Sequence, residues 1–130
     1  SMPDKTRYSD EELGEFRQLI QEKLALATRE YDEIMDILMN KDSNDVNDEM
    51  PTYKALEEGS SAHTREELTN MGARQLKFIQ GLKAALVRIE NKTYGICRVT
   101  GKLIPKERLR AVPHATTSIE GKMMEQQRKG

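Results

Sequence analysis

Two runs of apolar residues, spaced by threes and fours, constrain this chain more than any other feature. The first run is Leu13, Phe16, Ile20, Leu24, Ala27, Tyr31, Ile34 and Leu38. That spacing places one apolar stripe on one face of a helix, close to the seam of a coiled coil. Ser9 stands three residues before Glu12, the pattern of a capping box, so the helix is predicted over about 9–40. Leu19, Leu26 and Ile37 widen the stripe. About 30 residues at roughly 1.5 Å each span about 45 Å, the length of an arm. The second run is Leu68, Gly72, Gln75, Ile79, Leu82, Leu86 and Ile89, which predicts a helix over about 62–91. Gly72 and Gln75 dilute its apolar content, and a glycine inside a helix costs about 1 kcal/mol relative to alanine. The half of the pair nearest the connecting segment is therefore expected to be the weaker half. Two matched seams in one chain satisfy each other as an antiparallel helical hairpin, and a monomer is expected.

Composition supports a long exposed hairpin over a thick globule. Charged residues make up 33% and there is no Trp and only two Phe, too little bulk for a deep core. The net charge of -1 argues against a protein that coats DNA or anionic membranes, and no sequence-specific DNA binding is expected. One Cys allows no intrachain disulfide, and a reducing compartment is the default. No apolar run approaches a membrane span and no signal-peptide core is present, so a cytoplasmic protein is expected. The opening Ser1-Met2 reads as a tag remnant and is set aside. His63 and His114 are the only histidines, and no nucleophile–base pair or phosphate loop accompanies them, so no enzyme is expected.

The chain divides into a hairpin region, 1–92, and a C-terminal module, 93–130. Within the first, the periodicity stops at about 41–61. Asp42, Asp45, Asp48, Glu49, Glu57 and Glu58 make this segment acidic, and a loop with one short turn around 53–58 is expected there. The C-terminal module is turn-rich, with Gly95, Gly101, Pro105, Pro113 and Gly121 at short intervals. Ile96, Val99, Leu103, Ile104, Leu109, Val112 and Ile119 supply a small core, and a short polar helix is predicted over 118–128. From Arg98 onward eight Lys/Arg face only Glu107, Glu120 and Glu125. An acidic segment and a basic module on one chain suit a partner with matching fields.

The stretch Tyr94-Gly95-Ile96-Cys97-Arg98-Val99-Thr100-Gly101, then Ile104-Pro105, then Arg108-Leu109-Arg110-Ala111-Val112-Pro113-His114-Ala115 resembles the C-terminal module of the DksA/TraR family. Members carry Tyr/Phe-Gly-x-Cys-x-x-Cys-Gly, Arg-Leu-x-Ala-x-Pro-x-Ala and a second Cys-x-x-Cys. The resemblance is close over about 30 residues, and the preceding hairpin matches in architecture. It implies a mainly α protein: a long antiparallel coiled-coil hairpin plus a small zinc-finger-like module ending in a helix. The family's four zinc-binding cysteines fall here on Cys97, Thr100, Ser118 and Gly121, so only one thiol remains. A structural zinc site needs four ligands, and none is expected here.

The resemblance further implies a bacterial transcription regulator that binds RNA polymerase. Such proteins insert the hairpin into the secondary channel, bring its tip near the catalytic Mg²⁺, and grip the channel rim with the module. The tip residues expected on that basis are Asp42, Asp45, Asp48, Glu49, Glu57 and Glu58. The rim contacts expected are Arg108, Arg110, Lys122, Arg128 and Lys129. The family's Asp-x-x-Asp-x-Ala tip is only partly present: Asp42/Asp45 and Asp45/Asp48 have its spacing, but Asn47 or Met50 stands at the alanine. Of the family's basic positions for the alarmone ppGpp, two are Gly81 and Val112 here and only Lys122 is basic, which argues against that ligand. The rival is a plain interaction protein whose hairpin binds another helix without any role at polymerase.

Overall fold

The computed structural model describes residues 5–39 and 64–129. The tip residues named above, and the turn expected around 53–58, lie outside them. Among the described residues four helices follow in order: α1, Asp10–Met39; α2, Arg65–Glu90; α3, Lys106–Ala111; and α4, Ile119–Lys129. The two long helices match the periodicity, and the C-terminal one the span expected for it, to within a few residues. The six-residue α3 has only Leu109 buried and starts after Pro105 with no side-chain cap, so it had no periodic signal to announce it.

The capping box at the start of α1 forms as the sequence pattern requires. The Ser9 backbone N–H donates to Glu12 Oε1 at 2.8 Å, and the Glu12 N–H donates to Ser9 Oγ at 3.1 Å. Thr64 caps α2 through its Oγ1, which accepts from the Glu67 N–H at 3.0 Å. Beyond α2, Lys92 adopts a left-handed conformation, φ 63°, and the Thr93 N–H returns to the Arg88 carbonyl at 2.9 Å. That reversal ends the helix and redirects the chain into the module.

The chain folds as two compact units. One is Leu24–Gln80, in which the C-terminal half of α1 runs antiparallel to the first part of α2. Ile34, Leu38 and Leu68 are its buried cluster, flanked by Met35, Ile37 and Met71. Both polar interruptions of the seam have structural uses here. Gln75 Nε2 donates to the Ala27 carbonyl at 3.3 Å and to Glu30 Oε2 at 3.0 Å. Gly72 is buried against Ile34. Arg65 Nη1 donates to the Leu38 carbonyl at 2.8 Å, satisfying one of the open acceptors at the end of α1.

The other unit joins Ser1–Lys23 with Gly81–Gly130. Ile20, Leu82, Ala85, Ile89, Tyr94, Cys97, Ile104 and Leu109 are almost completely buried in it. Three aromatic rings form a chain through this core. Tyr8 meets Phe16 edge-on with centroids 5.8 Å apart, and Phe16 meets Tyr94 at 5.3 Å. Each tyrosine hydroxyl finds a carbonyl: Tyr94 Oη donates to Pro113 O at 2.8 Å, and Tyr8 Oη to Ile104 O.

Candidate functional site

The C-terminal module is organised around Cys97. Residues 95–104 fold back on themselves: Ile96 and Leu103 form an antiparallel bridge, and the Cys97 N–H donates to Lys102 O at 2.8 Å. The Gly101 N–H donates to Cys97 O at 2.8 Å, and its φ of +73° makes this tight turn a glycine position. Gly95, φ +80°, is needed twice over, because a Cβ there would lie 2.7 Å from the Tyr8 ring. A second turn, 118–121, opens α4. Ser118 Oγ accepts from the Gly121 N–H at 3.0 Å and so caps that helix.

The two turns meet at the sulfur. Cys97 Sγ accepts from the Thr100 N–H at 3.4 Å and from the Ser118 hydroxyl at 3.6 Å. The four positions matched to the family's zinc ligands therefore converge in space. Burial pushes the Cys97 thiol up, but the donors of Thr100 and Ser118 outweigh it and hold the thiol down at about 6. Around this corner Arg98 forms a two-pronged pair with Glu125 of α4, one contact at 2.8 Å, and its Nε donates to Thr116 Oγ1 at 3.2 Å. Among the described residues, no three His, Cys, Asp or Glu side chains gather into a metal-binding group.

The basic residues of the module divide into bound and available ones. Arg98 is paired with Glu125, and Lys106 is paired with Glu12 at 2.6 Å. Arg108 is half-buried, and its Nε donates to the Thr117 carbonyl at 2.8 Å, so part of its guanidinium is committed to the fold. It borders a groove of about 580 Å³ with Leu103, Pro105, Val112 and Ile119. Arg110, two residues on, lines a different depression with Lys23, Leu19 and Phe16. The two arginines thus serve separate pockets. Lys122, Arg128 and Lys129 are exposed on α4, beside exposed Ile119 and Met123. At Gly81, a Cβ would stand 3.1 Å from the His114 ring, so a longer basic side chain has little room there. Burial, then the nearby Arg88 charge, lowers the His114 pKa from its ordinary value.

The sequence reading missed Tyr8, Tyr94 and Arg98 as organising residues. For Tyr8 a signal existed: an apolar residue just before a helix cap, with Leu13 at the fourth helical position, is the pattern of a hydrophobic staple.

Comparison with known proteins agrees with this geometry. The family described as "Prokaryotic dksA/traR C4-type zinc finger" matches residues 92–120, the segment that carries the first turn and most of the second. Over that segment the chain carries a module of the DksA/TraR zinc-finger family. It is 42% identical over 55 residues to the RNA polymerase-binding transcription factor DksA of Caulobacter vibrioides, covering 42% of this chain and 39% of that protein. It is 30% identical over 80 residues to general stress protein 16O of Bacillus subtilis, covering 60% of this chain and 45% of that one. It is 39% identical over 64 residues to the B. subtilis protein YteA, covering 49% and 27%. The chain thus spans less than half the length of these relatives. No solved structure matches it. Among the described residues, no helix is long and apolar enough to cross a membrane.

Proposed function

We propose that this chain regulates transcription by binding RNA polymerase directly, with its paired helices entering the secondary channel and its module holding the rim. The observation that supports this most is the match over residues 92–120, in a family with a relative named for RNA polymerase binding. In this reading the chain acts by binding and carries out no catalysis of its own. The available cations Arg110, Lys122, Arg128 and Lys129 hold the rim, with Arg108 shared between contact and fold. The acidic residues Asp42, Asp45, Asp48, Glu49, Glu57 and Glu58 act near the catalytic centre. No role for ppGpp is proposed, because two of the positions that would be basic are Gly81 and Val112, and a side chain at 81 would meet His114.

The two groups of charges predict different defects. Exposed charge pairs are screened over roughly 8–10 Å, so rim charges set affinity and its salt dependence. Neutralising Asp42, Asp45, Asp48 and Glu49 together is expected to leave binding to core polymerase intact and to remove the effect on initiation in a purified transcription assay. Arg108→Ala needs a melting curve alongside its binding curve, because the bond to Thr117 is lost as well. Failure of the wild-type chain to co-purify with core polymerase at low salt would reject the proposal. The plain interaction-protein reading would then take its place.

A further inference from the structure

We propose that the finger of this chain is a metal-independent fold, closed by a hydrogen-bonded corner around Cys97 in the space a four-cysteine finger gives to zinc. The inference stands apart from the polymerase reading and does not depend on it.

The argument is steric first. Zinc bound to four thiolates lies about 2.3 Å from each sulfur, which sets the sulfurs about 3.8 Å apart around an open centre. Here the corresponding positions are Cys97, Thr100, Ser118 and Gly121. A Cβ built on Gly121 would lie 2.5 Å from Cys97 Sγ, where real Cβ atoms essentially never come closer than 3.0 Å. It would also lie 3.3 Å from Ser118 Oγ and 3.3 Å from Val99 Cβ. The backbone of the first turn of α4 therefore rests against the sulfur. The centre that a metal needs is filled, and only a residue without a side chain fits at 121.

The second part is chemical. Thr and Ser hydroxyls are weak zinc ligands, yet both residues are fully used where they stand. Thr100 directs its N–H at the sulfur, and its Oγ1 accepts from the Lys102 N–H at 3.2 Å. Ser118 donates to the sulfur and accepts from the Gly121 N–H. The corner's polar groups are thus satisfied by one another. Further ties flank the corner: the Arg98 N–H to Thr116 O at 2.9 Å and the Arg98–Glu125 pair link the first turn to the chain around the second, and Arg108 Nε holds Thr117 O from the short helix α3. A zinc ion joins two knuckles through four bonds. Here several ordinary hydrogen bonds and one close packing contact do the joining.

The test uses the whole chain. Purified protein is analysed for metal, then melted with excess chelator and with added Zn²⁺. The expected result is no stoichiometric zinc and a melting temperature that changes by less than about 1 °C, since a ligand that binds neither the folded nor the unfolded state cannot shift it. One zinc per chain held against the chelator, or a chelator-induced fall in melting temperature, would overturn the proposal. Gly121→Ala is the second arm. It is expected to lower the melting temperature by roughly 5–10 °C through overpacking against Cys97. Gly14→Ala, where nothing lies within 4 Å of the new Cβ, is the control and is expected to cause no loss. A Gly121→Ala protein as stable as the wild type would show that the corner is open, and would overturn the proposal even if the metal analysis were negative. If Gly121→Ala does not fold, the wild-type chelator melt decides alone.

Discussion

The module end and the far half of the helical pair use the same two helices but hold together in different ways. In Leu24–Gln80 the stabilising contacts are a short run of aliphatic side chains and methionines, interrupted by Gly72 and Gln75. In the unit containing the module, three aromatic rings, two tyrosine–carbonyl bonds and a crossed set of backbone turns bind residues distant in sequence. A helix pair with a thin seam opens locally at low cost, whereas a cross-tied core opens only as a whole. The lesson is that helix length alone does not predict where stability resides along a hairpin.

The largest expected effect tests this contrast directly. Tyr94 is completely buried, stacks near Phe16 and bonds to Pro113, so Tyr94→Ala removes a core side chain and leaves a buried acceptor unpaired. It is expected to cost about 3–5 kcal/mol and to unfold the module cooperatively. Leu68→Ala, in the small cluster with Ile34 and Leu38, is expected to cost about 2 kcal/mol, at the low end for such a truncation. Amide exchange separates the two. Leu68→Ala should accelerate exchange in residues 24–38 and 65–80 and leave 94–115 protected. Equal acceleration throughout would mean that the chain unfolds as a single unit and that the contrast is false.

A smaller change sharpens the same point from the opposite side. Gly72 is buried in a helix, and an alanine Cβ there would meet Ile34 Cγ2 at 3.5 Å and Met35 Sδ at 3.9 Å, ordinary packing distances. Gly72→Ala is therefore expected to stabilise by about 1 kcal/mol through helix propensity alone. The gain should be confined to slower amide exchange within Leu24–Gln80. A destabilised variant would mean that the close approach at Gly72 is required, and that this half is tighter than its composition suggests.

These differences were unevenly legible in the sequence. Long seams are readable because burial of one face repeats every three to four residues, and Leu13, Phe16, Ile20, Ile34 and Leu38 are all buried. The start of α1 was readable because Ser9 and Glu12 form a local, reciprocal device. The convergence of positions 97, 100, 118 and 121 followed from resemblance, since no periodicity marks a turn-rich module. Tyr8–Ile104 and Arg98–Glu125 could not be read, because bonds across such sequence separations leave no local pattern. The contact between Gly121 and the sulfur was hidden for another reason. A missing cysteine says that a ligand is gone and does not say whether the space it left is empty or filled.

The smallest expected effect lies at the start of α1, where charge ties that helix to the module. Glu12 receives Lys106, Lys5 and the Ser9 N–H, and these partners hold its carboxyl well below the ordinary value of 4.5. A carboxylate whose pKa is depressed by folding stabilises the fold above its unfolded pKa, and that contribution fades as the pH falls below it. Glu12→Gln isolates the charge, because glutamine keeps the reciprocal bond of the capping box and loses only the attraction to the two lysines. The wild type is therefore expected to melt slightly above Glu12→Gln from pH 5 to 7, and the gap should close as the pH drops below 4.5. The two lysines reach Glu12 from the solvent side, so the gap should also shrink in high salt. A gap that persists unchanged at pH 3 would show that Glu12 acts through shape and capping. The electrostatic tie between α1 and the module would then contribute nothing to the difference between the two units.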